Sequence, residues 1–197
     1  VPEVELPNPD ELEERRDKAF SRRVALITAI YAVVLAIASL GGNNSMKDML
    51  LAQQQSSDQW AFYQAKVIRE HLYRTQKMVL EARLGEPGAG RGAAERERLD
   101  ALARKFAEEE KRYNAEKKDV EKDAKALEHE RDINRDRDPY FDYAEVLLQI
   151  AIVMASVSIL AVSRQMFFFS LALAALGVIS TVNGFLLFYR LPFLHTH

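Results

Sequence analysis

Cysteine is absent from the 197 residues, which removes disulfides, thiolate nucleophiles and thiolate metal ligands together. Catalytic signatures are missing too: there is no HExxH, no Walker loop, no GxSxG and no CxxC. Nor is there a cationic surplus where charge is densest. Residues 45–138 hold 20 Lys+Arg against 20 Asp+Glu, so the excess that phosphate backbones require is lacking and nucleic acid is not an expected partner. The four histidines make no metal site: His71 and His129 fall on separate segments, and His195 and His197 sit in a short tail. These absences leave no catalytic residue, cofactor or metal site to nominate, and the expectation is a protein that is not an enzyme.

What is present divides the chain into two chemistries. Residues 24–40, 146–162 and 166–189 carry almost no charge, whereas 45–138 carries most of it. At about 1.5 Å per residue the first run covers roughly 25 Å, and Gly41 and Gly42 extend it toward the roughly 30 Å of a hydrocarbon core. The second reaches that length with help from residues 143–145. The third, at about 36 Å, can tilt. The expected fold is an all-α membrane protein: three transmembrane helices, with a long antiparallel coiled-coil hairpin inserted between the first and the second. Its expected segments are an N-terminal stretch 1–23, spans 24–42, 139–162 and 166–190, a hairpin 43–138, a tight turn 163–165 and a tail 191–197.

Direction follows from basic flanks. Arg15, Arg16, Lys18, Arg22 and Arg23 precede the first span and Arg164 sits in the turn, which places both on the cytoplasmic side of the membrane and the hairpin outside. Tyr140, Phe141 and Tyr143 then share a membrane face with Phe188, Tyr189 and Phe193 as an aromatic belt. Ser21-Arg22-Arg23 and Ala36-Ile37-Ala38 also fit a cleaved signal peptide, but the long acidic stretch before them favours an uncleaved anchor.

Asn8-Pro9-Asp10-Glu11 reads as a cap, a first-turn proline and acids on the positive end of a helix. Gly41-Gly42-Asn43-Asn44 reads as a break, with Ser45 and Asp48 as a capping box for the outgoing arm, 45–84. On that arm apolar and small residues recur by sevens: Leu51, Ala65, Leu72 and Val79 in one row, Ala61, Ile68, Thr75 and Ala82 in the other. The glycine-rich stretch 85–92 is the expected tip. The returning arm, 93–135, has Leu99, Phe106, Tyr113, Val120 and Leu127 at strict seven-residue spacing. Its second row holds Ala103 and Ala124 but also Glu110 and Lys117, so the seam is thin, and a rod with so thin a seam is expected to pack on copies of itself or on another subunit.

Within the spans, Ala25, Ala29, Ala32 and Ala36 form a small-residue stripe, and Ser180, Asn183 and Gly184 give a small and polar patch suited to helix packing. Glu145 and Gln149 share a helix face as a possible polar path, alone or with Asn183. Ser56, Asp58, Gln59, Trp60, Phe62, Tyr63 and Lys66 form the most distinctive stretch, an interfacial anchor or packing knot first and a recognition epitope second. This Ser-Asp-Gln-Trp-Ala-Phe-Tyr-Gln-Ala-Lys run, preceded by an Arg-Val-Ala-Leu-led apolar span, resembles the bacterial domain-of-unknown-function family numbered four-three-three-seven. The resemblance implies a three-span membrane protein with a helical insert over nearly the whole chain, and implies no activity. The expected function is a non-catalytic membrane scaffold or accessory subunit, held by the bilayer and joined to itself or to a larger assembly such as a respiratory or photosynthetic complex. The alternative is a channel or transporter component.

Overall fold

The computed structural model describes residues 9–85 and 92–190. Among these residues the chain is entirely helical, with α1 at Pro9–Gly85, α2 at Ala93–Leu160, α3 at Arg164–Leu186 and no strand. Each helix contains a stretch long and apolar enough to cross a membrane. The Asn8 cap, the tip at 86–91 and the tail 191–197, with Phe193, His195 and His197, lie outside the described residues.

Two expected helix ends are not ends. α1 runs unbroken through Gly41-Gly42-Asn43-Asn44, because the glycines serve close packing rather than a turn. A Cβ built on Gly41 would stand 2.5 Å from Cε1 of Phe141 and 2.9 Å from Cζ of Phe185, and one on Gly184 would stand 2.9 Å from the same Phe141 ring. Phe141, 1% exposed, fills the notch these glycines leave and meets Phe185 edge-on at 4.9 Å. The packing offsets the roughly 1 kcal/mol a helical glycine costs against alanine. α2 likewise passes through Pro139 instead of ending near Arg135.

The turn between α2 and α3 is set by a helix cap. Val162 adopts φ 45°, its N–H donates to the Ile159 carbonyl, and the N–H of Ser163 donates to the Ser158 carbonyl at 3.0 Å. That is the Schellman pattern, with a β-branched residue where glycine is usual. α3 closes at Leu187, also left-handed, whose N–H donates to the Asn183 carbonyl at 2.8 Å.

The chain divides into two compact units, one bounded by Val1–Asp48 and Ile133–His197, the other by Met49–Asp132. The first has its small residues inside. Ser170, Ala174, Gly177, Thr181 and Gly184 are the buried positions of α3, facing Phe141, Ala144, Leu148, Ala151, Ala155 and Ser158 of α2, all buried. Gly177 admits Leu148, whose Cγ lies 2.8 Å from where a Cβ would be. Large apolar residues such as Leu26, Ile30, Val153, Phe168 and Ile179 are exposed. A surface greasier than its interior is what lipid-facing helices show.

Candidate functional site

The unit Met49–Asp132 is organised by polar pairing between the α1 and α2 segments it contains. On α1 the inward positions are Ala52, Ser56, Gln59, Tyr63, Lys66, Glu70, Tyr73, Lys77, Leu80 and Leu84, buried or half-buried, stepping by fours and threes. On α2 they are Leu99, Ala103, Phe106, Glu110, Tyr113, Lys117, Val120, Ala124 and Leu127. The α2 rows are those read from the sequence. The α1 rows are not: Leu51, Ala61, Ala65, Ile68, Leu72, Thr75, Val79 and Ala82 are all exposed, and a more polar face of the same helix meets α2.

Charge makes that polar face workable. Glu70 is 2% exposed, yet it accepts hydrogen bonds from Lys117 at 2.5 Å and Asn114 at 2.9 Å, with Arg74 3.9 Å away. The hydrogen bond from Lys117 holds its carboxyl below the ordinary range, against the opposing pull of burial. Glu110 is lowered by hydrogen bonds from Lys77 at 2.6 Å and Arg74 at 2.8 Å, and Glu116 is lowered by Lys66. Partner numbers fall on α2 as they rise on α1, so the two segments run in opposite directions. Tyr113 stacks on Tyr73 at 5.6 Å, flanked by Lys66, Arg69 and Arg112. Glu110 and Lys117, the apparent faults in the α2 row, are thus half of its pairing code.

The Trp60 stretch splits between the two faces. Ser56 donates to the Ala124 carbonyl at 3.5 Å, a separation possible because Ala124 is small and fully buried. Trp60 Nε1 donates to Glu128 at 2.9 Å and its ring meets Tyr63 edge-on. Lys66 pairs with Glu116, and Gln59 is half-buried. Asp58 and Phe62 face outward.

What remains outward on α1 is an apolar stripe. Ile68 is 68% exposed, and Leu51, Leu72 and Val79 are each about half exposed; with Ala61, Ala65, Thr75 and Ala82 they lie on two rows of seven-residue spacing that are interrupted at Gln54 and Asp58 and unbroken from Ala61 to Ala82. Asp58 is the only charged residue on these two rows. Periodicity of that length is the pattern of a helix that pairs with another helix.

In the other unit, Ala25, Ala29, Ala32 and Ala36 are exposed, and the α1 face that packs carries Val24, Tyr31 and Ala38. Ser180 donates to the Tyr140 carbonyl at 2.8 Å and Tyr140 to the Tyr189 carbonyl at 2.9 Å. The Asn183 amide both donates to and accepts from the Tyr189 backbone. Gly184 belongs to the Phe141 notch. Glu145 is half-buried and Gln149 exposed, and among the described residues neither hydrogen bonds to Asn183. No three histidine, aspartate or glutamate side chains gather as a metal site among the described residues.

The model of a family described as a domain of unknown function, DUF4337, matches residues 20–187. No curated protein and no solved structure matches the chain.

Proposed function

The chain belongs to the DUF4337 family, a domain of unknown function, and from that premise we propose that it is a non-catalytic scaffold or accessory subunit of a bacterial inner membrane. Its three apolar stretches cross the bilayer with the N-terminus cytoplasmic, and its coiled-coil hairpin joins it to copies of itself or to a larger membrane complex. The observation that carries this reading is the exposed heptad stripe on α1. An intrachain seam that satisfies itself through ion pairs leaves the more apolar face of the same helix unused.

Magnitudes favour its burial. Covering a valine, leucine or isoleucine side chain contributes about 1.5 to 3 kcal/mol, so four half-exposed ones on each of two partners contribute on the order of 10 kcal/mol before the costs of association. Native mass spectrometry of gently solubilised membranes tests the reading. The expected result is an assembly larger than one chain that Ile68→Glu with Leu72→Glu dissolves; a lone monomer under conditions that preserve known complexes contradicts it.

The transport alternative has less support. Asn183 and Ser180 spend their polar groups on Tyr189 and Tyr140, which leaves Glu145 and Gln149 as its basis. Reconstituted ion flux that persists unchanged in Glu145→Ala would remove it.

A further inference from the structure

Arg16 and Arg23, one heptad apart on α1, and Arg164, the first residue of α3, line a single cavity of about 420 Å³. Phe20, Phe167 and Phe168 supply much of its remaining wall, and Phe20 braces Phe167 edge-on at 5.9 Å. Two other cations of this unit are neutralised nearby, Lys18 by Glu14 and Arg190 by Asp136 at 3.3 Å. Among the described residues none of the three cavity arginines has a carboxylate within ion-pair distance. All three are exposed, so their charge is available.

The end of α3 adds to the same field. Ser163 makes no side-chain capping hydrogen bond and the first turn holds no acid, so the positive end of a 23-residue helix is left to whatever stands beside Arg164. Apolar surface begins about one turn from the arginines, at Leu26 and Ile27 on α1 and at Phe168 and Phe169 on α3. An anion with a hydrocarbon tail satisfies both halves of this surface; a soluble anion satisfies one.

We propose that this cavity binds a phosphate group, that of an anionic phospholipid whose acyl chains cover the neighbouring apolar residues. Guanidinium forks recognise phosphate oxygens in pairs, and three of them around one opening favour a headgroup with full negative charge over a zwitterionic one. The site rests on the reading that α1 and α3 lie in a bilayer.

The test uses the full chain in discs of phosphatidylcholine carrying a minor fraction of phosphatidylglycerol, with retained lipid counted by native mass spectrometry. The expected result is selective retention of phosphatidylglycerol, weakened roughly fivefold by each of Arg16→Gln, Arg23→Gln and Arg164→Gln, and on the order of a hundredfold by all three. A control with the same loss of charge away from the cavity, Arg15→Gln, Lys18→Gln and Lys47→Gln, should keep most of the selectivity. Equal loss in the control overturns the site in favour of diffuse surface charge, and displacement of the lipid by inorganic phosphate overturns the lipid assignment. If the triple variant does not insert, the single variants carry the test. Resistance of the chain to carbonate extraction reports the membrane reading separately: an extractable chain sinks that reading and the lipid site with it, whereas a resistant chain without selectivity for phosphatidylglycerol sinks the site alone.

Discussion

In the unit bounded by Val1–Asp48 and Ile133–His197, the inward positions of the helices hold alanine, glycine, serine and a few large residues in notches. In Met49–Asp132 the inward positions hold glutamate, lysine, tyrosine and alanine. The repeat is nonetheless the same in both. On α1 the series Val24, Tyr31, Ala38, Ser45, Ala52, Gln59, Lys66, Tyr73 and Leu80 never changes phase and is buried or half-buried throughout. One geometric rule has been filled twice, first by backbone closeness and then by charge pairing. The first filling depends on having no side chain in the way, and the second on having each carboxylate matched. They should therefore fail under different insults.

The largest expected effect is at the Phe141 notch. Gly41→Ala with Gly184→Ala drives methyl groups into a ring that has nowhere to move, and overpacking of this kind costs about 1 to 3 kcal/mol per site. A lowered midpoint of unfolding in detergent titration checks it. Adding Phe141→Leu should return part of the loss, which a merely helix-weakening account does not expect.

Next comes the buried pair. Glu70→Ala leaves Lys117 facing a cavity and should destabilise Met49–Asp132 by roughly 2 to 3 kcal/mol, below the figure for a fully buried pair because Lys117 keeps some hydration. Hydrogen exchange of that unit should rise while the Phe141 region stays protected.

Acid should separate the units in the same way. Glu70, Glu110 and Glu116 have folded-state values below the ordinary 4.5, so their contribution is complete above that value and is lost as pH falls through the lowered folded values. Limited pepsin digestion near pH 3 is expected to cut first within Met49–Asp132; equal or earlier cutting elsewhere would break the contrast.

The smallest effect is at the turn. Val162 pays for a left-handed backbone, so Val162→Gly should stabilise by about 1 kcal/mol, read as a modest rise in melting temperature.

The α2 rows were legible in the sequence because Leu99, Phe106, Tyr113, Val120 and Leu127 are apolar and hydrophobic period is what a sequence displays most openly. The matching face of α1 was not, because Ser56, Glu70 and Lys77 are inward only by virtue of Ala124, Lys117 and Glu110, which lie some thirty to seventy residues away. Hydrophobicity pointed instead to the stripe that faces outward. The clue lay in Glu110 and Lys117, which broke an otherwise regular row. Gly41 and Gly42 are ambiguous in the sequence for a related reason: glycine marks a break and a close approach alike, and only distant Phe141 distinguishes them. Arg16, Arg23 and Arg164 were visible as charges, but their convergence on one cavity is a property of the fold.

The central claim is that α1 between residues 50 and 83 has two working faces, a polar one turned to α2 and an apolar one turned to a partner. Because the native chain has no cysteine, a scan of single cysteines along this segment, oxidised in native membranes, tests it directly. Cross-linking between chains is predicted to peak at positions 61, 65, 68, 72, 75 and 79 and to vanish at 59, 63, 66, 70, 73 and 77. Cross-links that favour the second set, or that show no seven-residue period, would contradict the account for self-association.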